Sequence, residues 1–191
     1  MASITSGQHV IRRITPVACA LGLLVACGGD VAPVDYAGPQ TIQVDLSEFD
    51  GKRGAGFRLE VRQLRLTPES WVVAAAVTNA TKERWWVRRP HFPGETKFGL
   101  YVSRRSNRRY LEVEFAAART TPSLLAERFS PQLPLYFAPG QRWSGTFSGR
   151  GLIPRGRWVR FAFGRFQTNG VPPSGLPAGL MAVTDRAVWL S

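Results

Sequence analysis

From Phe57 onward, apolar residues recur at every second position. Phe57, Leu59 and Val61 alternate with Arg58, Glu60 and Arg62, the period of a strand with one buried face. The phase then slips to Leu64 and Leu66, which predicts a β-bulge near Arg62–Gln63. Thr67-Pro68-Glu69-Ser70 reads as a turn, and Trp71 to Asn79 is apolar enough for a central strand. Further strands are predicted over 84–88, 98–104, 109–115, 133–137, 142–148, 157–166 and 180–190. One short helix is predicted near 122–129, with Thr121 as N-cap and Pro122 at the first helical position. Of the 14 prolines, all but Pro16 lie beyond residue 30, which argues against long helices. Short strands between Gly/Pro turns predict an all-β fold, a single antiparallel β-sandwich of about 7–9 strands.

One hairpin can be specified further. Pairing residues whose numbers sum to 213 opposes Phe98 to Phe115, Leu100 to Val113 and Val102 to Leu111. The other face then carries Gly99/Glu114, Tyr101/Glu112 and Ser103/Tyr110, and a one-residue slip would scramble both sets. The same register crowds Arg104, Arg105, Arg108 and Arg109 around a tip at Ser106-Asn107. Like charges opposed there are tolerated by hydration of the tip or by a bound anion.

The N-terminal segment follows a different pattern. Arg12 and Arg13 precede Ile14–Ala26, a 13-residue uncharged apolar stretch with the length of a signal h-region, too short for a comfortable bilayer span. It ends in Leu24-Val25-Ala26-Cys27, followed by Gly28-Gly29. This motif resembles the lipobox of bacterial lipoproteins. The resemblance implies that 1–26 is a lipoprotein signal peptide, that Cys27 is lipidated as the first mature residue, and that the protein is held extracytoplasmically in the bacterial cell envelope. With Cys19 removed and Cys27 acylated, no thiol remains for a disulfide, so core burial alone must hold the fold.

Charge sharpens the division. Residues 28–50 carry five acids and no Lys or Arg, whereas 51–191 hold 23 Lys and Arg against eight acids. The expected organisation is therefore a signal peptide, an acidic flexible tether over 27–40 and a basic β-sandwich domain over 41–191. Of the 25 basic residues 22 are Arg, a planar fork suited to phosphate, carboxylate and aromatic faces. The polyanions available to an exported protein are anionic lipids, phosphorylated glycolipids and wall polymers; nucleic acid is not among the expected partners.

Val77-Thr78-Asn79-Ala80-Thr81, the turn Ala138-Pro139-Gly140-Gln141 before Arg142-Trp143, and Pro154-Arg155-Gly156-Arg157-Trp158 form a second set of motifs. Together they resemble the Ig-like domains of bacterial lipoproteins and of the intracellular proteinase inhibitor type, over roughly Phe57 to Phe166. The resemblance implies an Ig-like sandwich and a non-enzymatic role. It identifies no inhibitory loop residue.

Catalytic chemistry has little material. His91 is the single histidine beyond the signal segment and has no acid near it before Glu95, so neither a Ser–His–Asp site nor a metal site is expected. No cofactor is implied. The densest recognition candidate runs from Lys82 to Phe92, where adjacent Trp85 and Trp86 must face opposite sides of a strand. Trp86, Arg88, Arg89 and the Arg104, Arg105, Arg108, Arg109 tip are the expected ligand-binding residues, for an anionic envelope component or a protein partner. The alternatives are a protease-inhibitor or chaperone-like module that engages a protein by a loop or strand edge, and a hydrolase with an unrecognised site.

Overall fold

A computed structural model of the chain describes residues 34–50, 56–87, 98–106, 123–168 and 179–191. These residues are all-β and belong to the compact unit Val34–Ser191. Twelve strands form two antiparallel sheets. The first has the order β1 (Gln40–Asp50), β2 (Phe57–Leu66), β3 (Ser70–Asn79), β9 (Arg142–Arg150) and β7 (Arg128–Ser130). The second runs β6 (Leu124–Leu125), β5 (Gly99–Ser103), β10 (Arg157–Gln167), β4 (Trp85–Val87) and β8 (Tyr136–Phe137), with β11 (Gly179–Val183) and β12 (Val188–Leu190) also paired to β10.

The two-residue period does what it predicts. Phe57, Leu59, Val61, Leu64 and Leu66 are buried, and the phase change is a register shift between Val61 and Gln63. β3 is central, paired to β2 on one side and β9 on the other. Both sheets feed one core built on aromatic rings. Phe57 of the first sheet stacks on Phe166 of the second at 4.0 Å between centroids, and Phe147 meets Phe163 edge-on at 5.1 Å. Offset and edge-to-face contacts of this kind add about 0.5–1.5 kcal/mol each beyond area burial.

Strand β10 organises the second sheet. Its Trp158 and Val159 pair with both β5 and β12, so those two strands lie on opposite edges. At the far end Phe166 and Gln167 pair with both β4 and β11, again on opposite edges. The inward face of β10 holds Val159, Phe161, Phe163 and Phe166 in the shared core, while Ala162 packs outward with Tyr101, Met181 and Val183.

Several expectations are corrected. The helix near 122–129 is not formed: described residues 124–125 and 128–130 are strands β6 and β7. A helix of two turns is marginal on its own, whereas the strand ladder satisfies this backbone directly. Ala126 N donates to Phe98 O at 2.8 Å and Glu127 N to Ser148 O at 2.8 Å. The expected hairpin register is unavailable at Gly99 and Leu100. Both edges of Gly99 and Leu100 are taken, by β10 on one side and β6 on the other, so the pairings with Glu114 and Val113 are unavailable; 109–115 itself lies outside the described residues. The expected 180–190 strand divides at Thr184, whose Oγ1 accepts from Phe161 N at 3.1 Å.

The tether joins the body earlier than expected. Tyr36 bridges to Pro154, Ala37 N donates to Ile153 O at 2.8 Å, and Arg155 N donates to Asp35 O at 2.8 Å. Residues 35–37 of the expected 27–40 tether are therefore docked. The acidic stretch that follows is β1, an unanticipated strand with a register shift between Gln43 and Leu46 and a positive φ of 45° at Asp45. Its Glu48 carboxylate accepts from the backbone N–H groups of Asp185 and Arg186, so part of the acidic segment braces the basic body.

Candidate functional site

The Val-Thr-Asn-Ala-Thr motif builds one end of the second sheet. Asn79 is fully buried. Its Nδ2 donates to the carbonyls of Glu83 at 2.7 Å and Phe137 at 3.0 Å. Its Oδ1 accepts from Thr81 N at 2.9 Å and Thr81 Oγ1 at 2.7 Å. Thr81 Oγ1 in turn accepts from Trp85 Nε1 at 2.8 Å. The Ala-Pro-Gly-Gln turn locks onto the same residue: Gly140 N donates to Asn79 O at 2.8 Å and Asn79 N to Gln141 O at 3.0 Å. Gly140 takes φ 73°, the left-handed position that a Pro-Gly turn requires. The Asn79-Ala80-Thr81 triplet, which also matches a glycosylation sequon, spends its amide on these internal bonds.

This lock turns Trp85 inward and Trp86 outward. Trp85 is fully buried and Trp86 is 36% exposed, as a strand with two adjacent tryptophans demands. Trp86 pairs across β4–β8 with Tyr136, their rings 5.5 Å apart and inclined at 61°. The guanidinium of Arg84 lies over the Tyr136 ring at 4.5 Å. Exposed Leu135 adjoins this ledge, and Gln167 stands directly across from Trp86 on β10. Two aromatic surfaces beside a guanidinium can stack a sugar ring or hold an anionic substituent.

Among the described residues, Trp86 stands apart from Arg104 and Arg105. Ser103, just before Arg104 and Arg105, pairs with Trp158 at the start of β10, whereas Trp86 pairs with Gln167 at its end. Nine strand residues separate those levels, about 30 Å. Arg104 and Arg105 are exposed and are held at their base by buried Arg160, which donates to the carbonyls of Ser106, Thr184 and Asp185. Arg88, Arg89, Arg108, Arg109, His91 and Cys27 lie outside the described residues.

Sequence reasoning missed Tyr136, Leu135 and Arg84 as site residues. Arg84 stood within the segment singled out, but Tyr136 is fifty positions away and only strand pairing brings it there. All seven exposed large hydrophobics among the described residues fall in two places. Trp86, Leu135 and Tyr136 form the ledge. Val34, Tyr36, Leu152 and Trp189 gather around the 152–157 loop at the opposite end of β10: Trp189 pairs with Trp158, Gly156 N donates to Leu190 O at 2.8 Å, and Tyr36 bridges to Pro154.

A cleft of about 780 Å³ lies beside the turn at Thr67–Ser70, lined by Glu69, Glu127, Arg128 and Arg150 among others. Its charges are of both signs, and Arg150 pairs loosely with Glu127 at 3.8 Å. Among the described residues no three His, Cys, Asp or Glu side chains approach closely enough to hold a metal ion, and no helix is long and apolar enough to cross a membrane. Comparison with known protein families, curated proteins and solved structures found no match.

Proposed function

We propose that this is a non-enzymatic, lipid-anchored lipoprotein of the bacterial cell envelope, whose basic Ig-like β-sandwich binds an anionic envelope component. Anchoring is through Cys27, on the strength of the Leu24-Val25-Ala26-Cys27 motif behind an apolar stretch and two arginines. The observation that carries the binding reading is the ledge of Trp86 and Tyr136 with Arg84 over the Tyr136 ring. It lies on the outer side of a sheet, where Trp86, Leu135 and Tyr136 are exposed among the described residues. The class of ligand follows from chemistry: a ring or acyl face for the aromatics, and phosphate or carboxylate for the guanidinium.

A protein-binding module would use a sheet edge, and β1, with 11 residues, is the longest edge strand. The bulge between Gln43 and Leu46 and the positive φ at Asp45 interrupt the ladder that a docking strand would need. The ledge is better supported.

The test is retention of the full chain, held in detergent, on immobilised anionic wall polymer and on a neutral polysaccharide. Salt-sensitive retention on the anionic matrix is expected, with Trp86→Ala and Arg84→Gln each weakening it about tenfold. Equal retention on both matrices, or indifference to both substitutions, would contradict the reading.

A further inference from the structure

The end of the sheet opposite the ledge carries the second exposed apolar group, and it is the end at which the N-terminal segment joins the body. Val34 and Tyr36 belong to that segment; Leu152 and Trp189 flank the loop to which it is bound. Trp and Tyr are enriched at bilayer interfaces, and Leu and Val add apolar surface beside them. Arginines lie close by. Arg155 is in the same loop, partly shared with Asp35 at 3.4 Å, and Arg157 opens β10 two residues on. Arg104 and Arg105 follow Ser103, which pairs with Trp158. Strand β10 thus places part of the expected arginine tip beside the Trp158–Trp189 pair, away from the ledge.

Chain length decides what can cover this face. Eight residue steps separate Cys27 from Asp35, a reach of at most about 28 Å when fully extended. Resting on the Cys27 reading above, the acyl chains cannot be further than that from the docked Asp35–Ala37 segment. A bilayer is therefore within reach of this aromatic surface and its neighbouring arginines, and a negative leaflet complements their charge.

We propose that the Tyr36–Leu152–Trp189 face, with Arg104, Arg105, Arg155 and Arg157 around it, docks on the anionic bilayer that holds the Cys27 lipid. Docking fixes the orientation of the body and leaves the Trp86–Tyr136 ledge at the other end of β10, about 30 Å along the strand.

The test uses the full mature chain reconstituted in vesicles of phosphatidylglycerol and phosphatidylcholine that carry bromine on their acyl chains. Trp71, Trp85 and Trp143 are buried, so quenching by the lipid reports chiefly on Trp86, Trp158 and Trp189. The expected result is strong quenching that Trp189→Phe largely removes and Trp86→Phe leaves unchanged. Arg157→Gln should lower the docked fraction about fivefold, as should replacing phosphatidylglycerol by neutral lipid. Near-ultraviolet circular dichroism establishes that each variant is folded, and Trp189→Phe, at a half-exposed position, is the variant least prone to disturb the core. The mass of the N-terminal peptide reports acylation separately. An acylated chain without Trp189 quenching, or one whose Trp189 is shielded by a second copy of the protein, overturns the docking and leaves the lipoprotein reading standing. An unacylated Cys27 overturns both.

Discussion

Asn79 carries more of the fold than its neutral, uncharged side chain suggests. Both amide protons and the amide oxygen are engaged inside the protein, and each buried polar group left without its partner costs about 1–3 kcal/mol. Asn79→Ala should therefore lower unfolding free energy by roughly 2–4 kcal/mol, measured by chemical denaturation. A loss below 1 kcal/mol would mean that the strand ends are held by something else. Glu60 behaves differently. The bidentate hydrogen bonds from Arg142, at 2.8 and 2.6 Å, hold its carboxyl below the usual carboxylate range. The stabilisation is present above the pKa of an unfolded-chain glutamate and fades as pH falls through the lowered one. Glu60→Gln should thus cost about 0.5–1 kcal/mol at pH 7, since the pair is partly exposed, and progressively less as pH falls through the lowered pKa. At this scale the sequence was informative about outlook but not about partners. Adjacent tryptophans force one ring out by strand geometry, yet nothing near Trp86 announces Tyr136.

Among elements, the segment 122–129 is the instructive failure. Threonine and proline before a pair of leucines are helix-start signals, and they are local. The competing signal is a vacant strand edge on β5 and on β9, made by residues far away in the chain. Gly145 on β9 is part of that vacancy. A Cβ there would collide with Ser130 O and approach Pro131 Cδ to 2.6 Å, so β7 can lie against β9 only if residue 145 has no side chain. Gly145→Ala is expected to destabilise the protein by about 1–3 kcal/mol, while Ser144→Ala on the same strand should stay within about 0.5 kcal/mol. Equal midpoints for the two in a thermal melt would argue against the β7–β9 pairing. Strand β1 was overlooked for the opposite reason. Ile42, Val44 and Leu46 alternate as a strand should and lie within the expected 41–191 domain, but with Gln43 and Asp45 between them the run is too short to announce a strand. Its pairing with β2 and the bracing of Glu48 against the 184–186 turn build that acidic chain into the body.

For the whole molecule, the asymmetry of charge was legible from residue counts. Convergence was not. Three arginine clusters separated by tens of residues gave no indication of which share an end, because that depends on how β5, β12 and β4 align along β10. Among the described residues, the start of β10 carries Tyr36, Leu152 and Trp189 with Arg155 in the adjoining loop, and its end carries the Trp86–Tyr136 ledge. That polarity has meaning for function only if the chain is tethered to lipid at Cys27. The most direct measurement is therefore the intact mass of the protein extracted from the membrane fraction of its own cells. A chain that begins at an acylated Cys27 is the predicted result; a soluble chain that retains Met1 and an unmodified thiol at Cys27 would contradict it.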